Sequence, residues 1–276
     1  MKLDYATLIS PYPLYLYKLG RIKPPSLKEI WSSTVTYNTY KIYISLLSLS
    51  PKDYCENIDK SKLDWFNNLP ESDKCNLSVL QLLPGNEKMI ESYGSMFNFF
   101  FVERVVWNEN NCLFMVMPED VCFDTCTQKF YTTNKNNEKV ETENFGLIHN
   151  GNFSELCDVI LQLCGANKED EDEKPKFKNK AAERIWLKTH NARVQKQNKA
   201  DKYLELPNII SSYASYNHSS INMLNIWDLT VCQLYDQFQR ERSNNYLDIS
   251  KYQVGYCGDK DKKFDGDMWY KSIKIN

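Results

Sequence analysis

The chain has 276 residues, with 34 basic and 36 acidic side chains and a formal charge of −2. That balance argues against a protein that binds nucleic acid with its whole surface, while the length suffices for one large or two modest domains. Nine cysteines lack the dense, regular spacing of a disulfide scaffold, and no run approaches the ~20 apolar residues of a membrane helix. No apolar segment follows a basic start near Met1, so the sequence reads as an intracellular protein with reduced thiols. The 18 tyrosines, each with an apolar body and a polar tip, suit a core or a partner surface.

In chain order, Pro11 and Pro13 disfavour helix. Leu14–Leu19 alternates Leu and Tyr as a short strand does, and Gly20 offers a turn. Ser26 and Glu29 have the spacing of a capping box, which predicts a short helix carrying Leu27, Ile30 and Trp31 inward. Tyr37, Tyr40, Ile44 and Leu47 predict a second helix, ending at Ser50-Pro51. Pro51 suits the first position of another, because its missing N–H costs nothing there. Trp65, Phe66 and Leu69 form an apolar cluster. Asn76–Leu83 reads as helix, as does Asn86–Phe101, with Met89, Tyr93, Met96, Phe97 and Phe100 on one side.

The period then changes. Val102–Trp107 and Cys112–Met117, across Asn108–Asn111, predict a β-hairpin. Phe130–Thr133 and Asn144–His149 are placed as a second one around a polar run. Asn152, with Glu155 three residues on, is read as the cap of a helix whose stripe is Leu156, Val159, Ile160 and Leu163, and Gly165 fits just past its end.

Beyond Gly165 the composition shifts. Glu169 to Glu173 are five consecutive acids, and between Lys174 and Lys202 ten basic residues face two acids. Residues 167–204 are read as a charged hinge between a helical domain with a β-hairpin region, 1–166, and a helical C-terminal region, 205–276. Within the hinge Lys178, Lys180, Arg184, Lys188, Arg193 and Lys196 are the candidate nucleic-acid contacts. A solvated linker is the favoured reading of the same residues.

In the C-terminal region Asn208–Tyr216 reads as a short helix. Asn225–Arg240 reads as an amphipathic one, with Thr230 or Asp228 as cap and Val231, Leu234, Tyr235 and Phe238 as its stripe. The expected fold class is therefore mainly α with a small antiparallel β-hairpin insertion.

Chemical signatures are sparse. Cys122 and Cys126, or Cys157 and Cys164, lack the matching Cys or His partners of a zinc site, and His149, His190 and His218 stand beside none of them in a motif. No phosphate-binding glycine loop occurs. The expectation is a protein that is no enzyme, with no catalytic residue, metal or cofactor.

Ile22–Trp31 at one end, and Ile226–Phe238 with Phe264–Ile273 at the other, resemble tail assembly chaperones of siphophages that infect Gram-positive bacteria. The resemblance implies a non-enzymatic helper in the cytoplasm of the infected host. It would bind the tape-measure protein and recruit tail-tube subunits. Trp227, Leu229, Val231, Leu234, Tyr235, Phe238 and Trp31 are the candidate partner-binding residues, and self-association is an additional expectation. A nucleic-acid-binding accessory protein using 174–202 and a structural virion subunit are the alternatives; no membrane partner is expected.

Overall fold

The computed structural model describes residues 1–133, 138–166, 205–259 and 264–270. The chain divides into two compact units, Met1–Ala166 and Asn167–Asn276.

The first unit begins with a single helical turn, α1 (Tyr5–Leu8), and a two-stranded antiparallel hairpin, β1 (Leu14–Leu16) and β2 (Gly20–Ile22). Six helices follow: α2 (Leu27–Ile30), α3 (Tyr37–Ser48), α4 (Pro51–Asn57), α5 (Leu63–Asn67), α6 (Glu71–Asn76) and α7 (Glu87–Phe100). Their starts are chemically marked. Ser26 and Glu29 close the capping box of α2, Ser50 accepts from the Asp53 N–H ahead of α4 with Pro51 at its first position, and Asn86 accepts from the Met89 N–H ahead of α7. The stretch read as one helix over 76–83 is instead the end of α6 followed by a 3₁₀ turn, Val79–Leu82.

Next come β3 (Arg104–Asn108), β4 (Leu113–Met117), β5 (Val121–Asp124), β6 (Lys129–Thr133), β7 (Lys139–Glu141) and β8 (Gly146–Ile148). They form two three-stranded antiparallel sheets, ordered β3-β4-β8 and β5-β6-β7. With the N-terminal hairpin this makes three separate sheets, which overturns the expected single hairpin insertion in a mainly helical fold. The second predicted hairpin is also re-paired. Phe130 pairs with Phe123, while Ile148 pairs with Phe114 of the central strand β4. The strands that the sequence reading missed are β2, β5 and β7. At the β5-β6 turn the positive φ falls on Gln128 (57°), which is neither the Gly nor the Asn that marks such a turn, whereas the β1-β2 hairpin carries it at Lys18 (59°) and at Gly20 (113°).

The unit closes with α8 (Asn150–Leu163). Its cap is His149, whose Nδ1 accepts from the Gly151 N–H at 3.1 Å, and Asn152 is the third residue of the first turn, accepting from the His149 N–H at 2.9 Å. The helix thus starts earlier than the predicted Asn152 cap. It ends as expected, with Gly165 at φ 66° just beyond it.

β4 organises the core because both its faces are covered. Phe114 and Val116 are buried on the side of α7 and α8. Phe114 stands edge-on to Phe97 at 5.2 Å, and Phe97 and Tyr93 in turn meet Phe153 of α8. On the other side Met115 and Met117 form a cluster with Val121 and Phe130 of the second sheet, where Phe130 stacks on Phe145 at 3.6 Å. A strand buried on both faces reads as a continuous apolar run, and Leu113–Met117 is one. The hairpin docks on both flanks: the Val102 N–H donates to the Arg21 carbonyl (2.9 Å) and the Lys23 N–H to the Phe100 carbonyl (2.8 Å). Buried Glu103 accepts from the Arg21 N–H (2.9 Å) and Nε (2.7 Å), and the Leu147 N–H donates to the Lys18 carbonyl (3.1 Å).

In the second unit α9 (Leu206–Ser215) buries Leu206, Ile209, Ile210 and Tyr213. A 3₁₀ turn, Ile226–Asp228, leads to Thr230. Its side chain accepts from the Gln233 N–H and opens α10 (Val231–Cys257), a helix of 27 residues ended by Gly258 at φ 75°. At 1.5 Å per residue it is about 40 Å long, well beyond the predicted end at Arg240.

Candidate functional site

α10 has two halves of different character. In the first half Val231, Cys232 and Leu234 are buried, as is Asp236, whose carboxylate pairs with Arg240 Nε at 3.1 Å. Glu241 accepts from His218 Nδ1 at 2.6 Å if that nitrogen carries the proton, which ties the loop after α9 to the helix. After Leu247 no residue of α10 is buried. Instead Tyr246 (61% exposed), Ile249 (65%), Tyr252 (71%) and Tyr256 (90%) stand in water. Their spacing of three, three and four places them along one side of the helix.

The residues predicted to bind a partner divide accordingly. Val231 and Leu234 are core, and Trp227, Leu229, Tyr235 and Phe238 are half-buried. The Trp227 indole donates to the Met223 carbonyl at 2.9 Å. Trp31, expected to face inward, lies at the surface and stacks on Tyr37 at 5.0 Å, with Lys41 Nζ 5.1 Å from that Tyr37 ring. The outward stripe from Tyr246 to Tyr256 was missed as a surface. Its signal was in the sequence, because its apolar residues continue at helical spacing as far as Gly258, the glycine that ends the helix. Lys178, Lys180, Arg184, Lys188, Arg193 and Lys196, with the rest of the hinge, lie outside the described residues.

The first unit carries a groove of about 530 Å³. Val106, Met115 and Met117 from the outer face of β3-β4 and Val121 and Phe123 from β5 line it, with Arg104 and Glu109 among its charged residues. Among the described residues no group of three or more His, Cys, Asp and Glu is placed to hold a metal ion, and no helix is long and apolar enough to cross a membrane.

The second unit's helices coincide with a known protein module. Residues 195–274 match the family model described as the YomV second domain. YomV is encoded by a Bacillus phage, so the match is consistent with a phage protein. No curated protein and no solved structure shows significant similarity to the chain.

Proposed function

We propose that the protein is a non-enzymatic phage tail assembly chaperone, which binds the tape-measure protein and recruits tail-tube subunits in the host cytoplasm. The observation that carries this reading is the exposed side of the second half of α10, with Tyr246, Ile249, Tyr252 and Tyr256 aligned in solvent. Gly255 within this half costs about 1 kcal/mol relative to Ala. A helix that keeps an aromatic stripe in solvent at that cost gains stability when a second helix covers it. The spacing is the one used by helical clients that dock through anchors three and four residues apart. The phage-linked match spans this helix, and the resemblance of both chain ends to tail chaperones supplies the client.

The test is co-expression of the full chain with the tape-measure protein from the same genome, followed by affinity purification. The expected result is co-purification that is lost in a Tyr246→Ser, Tyr252→Ser, Tyr256→Ser triple variant whose helical content is unchanged. Retention of the client by that variant would refute the proposed surface.

A further inference from the structure

We propose that the outer edge of β7 pairs with the same strand of a second copy of this chain. The pairing joins two β5-β6-β7 sheets into one across a two-fold axis at Val140. This surface belongs to the first unit and does not depend on the reading of α10.

The phase of the ladder opens the edge. The Thr142 N–H donates to the Phe130 carbonyl at 2.9 Å, and Val140 lies opposite Thr132. Roles in an antiparallel pair repeat every second residue, so Val140 shares its N–H and C=O with Thr132. Those of Lys139 and Glu141 therefore turn away from β6. Among the described residues no further strand pairs with β7 and no backbone group bonds to these outward ones. The edge of β3 differs: there the Asn98 side chain holds the Val105 N–H and C=O at 2.9 and 2.8 Å. Lys139, Val140 and Glu141 are all exposed, Val140 by 45%.

A short, charged edge discourages arbitrary partners. The charges on this one select a partner with the same sequence. If two copies paired antiparallel about Lys139, or about Glu141, like charges would stand face to face. Centred on Val140, the same backbone phase sets Lys139 of each copy opposite Glu141 of the other. Each such pair exchanges both N–H···O=C bonds and neutralises its charges. Glu141 has an oxygen to give: Lys129 Nζ donates to its Oε2 at 2.8 Å, which leaves Oε1 for the incoming lysine. The two Val140 residues meet on the axis as a non-hydrogen-bonded pair. There the Cα atoms approach to about 4.5 Å and β-branched side chains pack on one another. One register thus satisfies the outward backbone groups, the charges and the exposed valine together. An edge of three residues is small beside the roughly 1,000 Å² of a stable interface, so the dimer is weak and forms as concentration rises.

The experiment is sedimentation equilibrium of the full chain at low salt, from about 10 μM to about 1 mM. Lys139→Glu, Glu141→Lys and their equimolar mixture are run beside the wild type. The wild type is expected to pass from monomer to dimer, and each variant alone to associate at least roughly tenfold more weakly, because like charges then face each other. The mixture is expected to dimerise again, since the two acids of one variant face the two lysines of the other. Both positions are exposed, so the fold is retained, which circular dichroism checks. A wild type that stays monomeric, variants that dimerise as the wild type does, or a mixture that stays monomeric would overturn the proposal.

Discussion

Gly146 shows how much a single position constrains this fold. A Cβ there would overlap the Leu19 carbonyl, which is backbone and cannot swing aside. Gly146→Ala should therefore force the N-terminal hairpin off β8, with a cost of about 1–3 kcal/mol or more; urea unfolding followed by Trp fluorescence measures it. Tyr93 is fully buried, its phenol pushed up in pKa by burial, and its hydroxyl donates to the Leu46 carbonyl at 2.9 Å. Tyr93→Phe removes that bond while the Leu46 carbonyl still accepts from the Leu49 N–H at 3.3 Å, so it should cost about 0.5–1.5 kcal/mol. Glu29 sets a pH dependence. Burial alone would raise its carboxyl, but Lys23 and the Ser26 N–H and hydroxyl outweigh burial and hold it below the usual range. A carboxyl lowered in the folded state adds stability above its unfolded pKa of about 4.3, and that stability is lost as pH falls through the folded value. A melting-temperature series downward from about pH 5 should fall more steeply for the wild type than for Glu29→Gln, which carries no charge to lose.

At the scale of elements, legibility tracked whether a signal was local. The caps at Ser26 and Thr230, the Pro51 start and the Gly165 end all lie within a few residues of the helices they mark, and the structure has them. The strands were harder. β4 was read as half of a hairpin, yet its second partner β8 lies beyond three strands and pairs with it through Phe114–Val116, which no short window joins to Gly146–Ile148. At the β5-β6 turn the positive φ falls on Gln128, so no Gly or Asn marked that hairpin. The Asx-type turn was available as a signal: Asp124 Oδ1 accepts from the Cys126 and Thr127 N–H groups, and an Asp at that place announces a turn. In the candidate site the first turns of α10 were legible as an apolar stripe. Whether a stripe faces core or solvent depends on what packs against it, so Leu234 and Tyr252 looked alike and are not. Leu234→Ala should thus cost about 2–5 kcal/mol in stability, whereas Tyr252→Ala should change the unfolding midpoint little and affect client binding alone.

For the whole molecule, the proposed client surface is the exposed side of the second half of α10. The most direct measurement of the central claim is photocross-linking in cells that express the client. A benzoylphenylalanine replaces Tyr252 in one strain and the buried Leu234 in another. The account predicts an adduct with the tape-measure protein from position 252 and none from 234. Adducts only with a second copy of this chain, or the same yield from both positions, would contradict it.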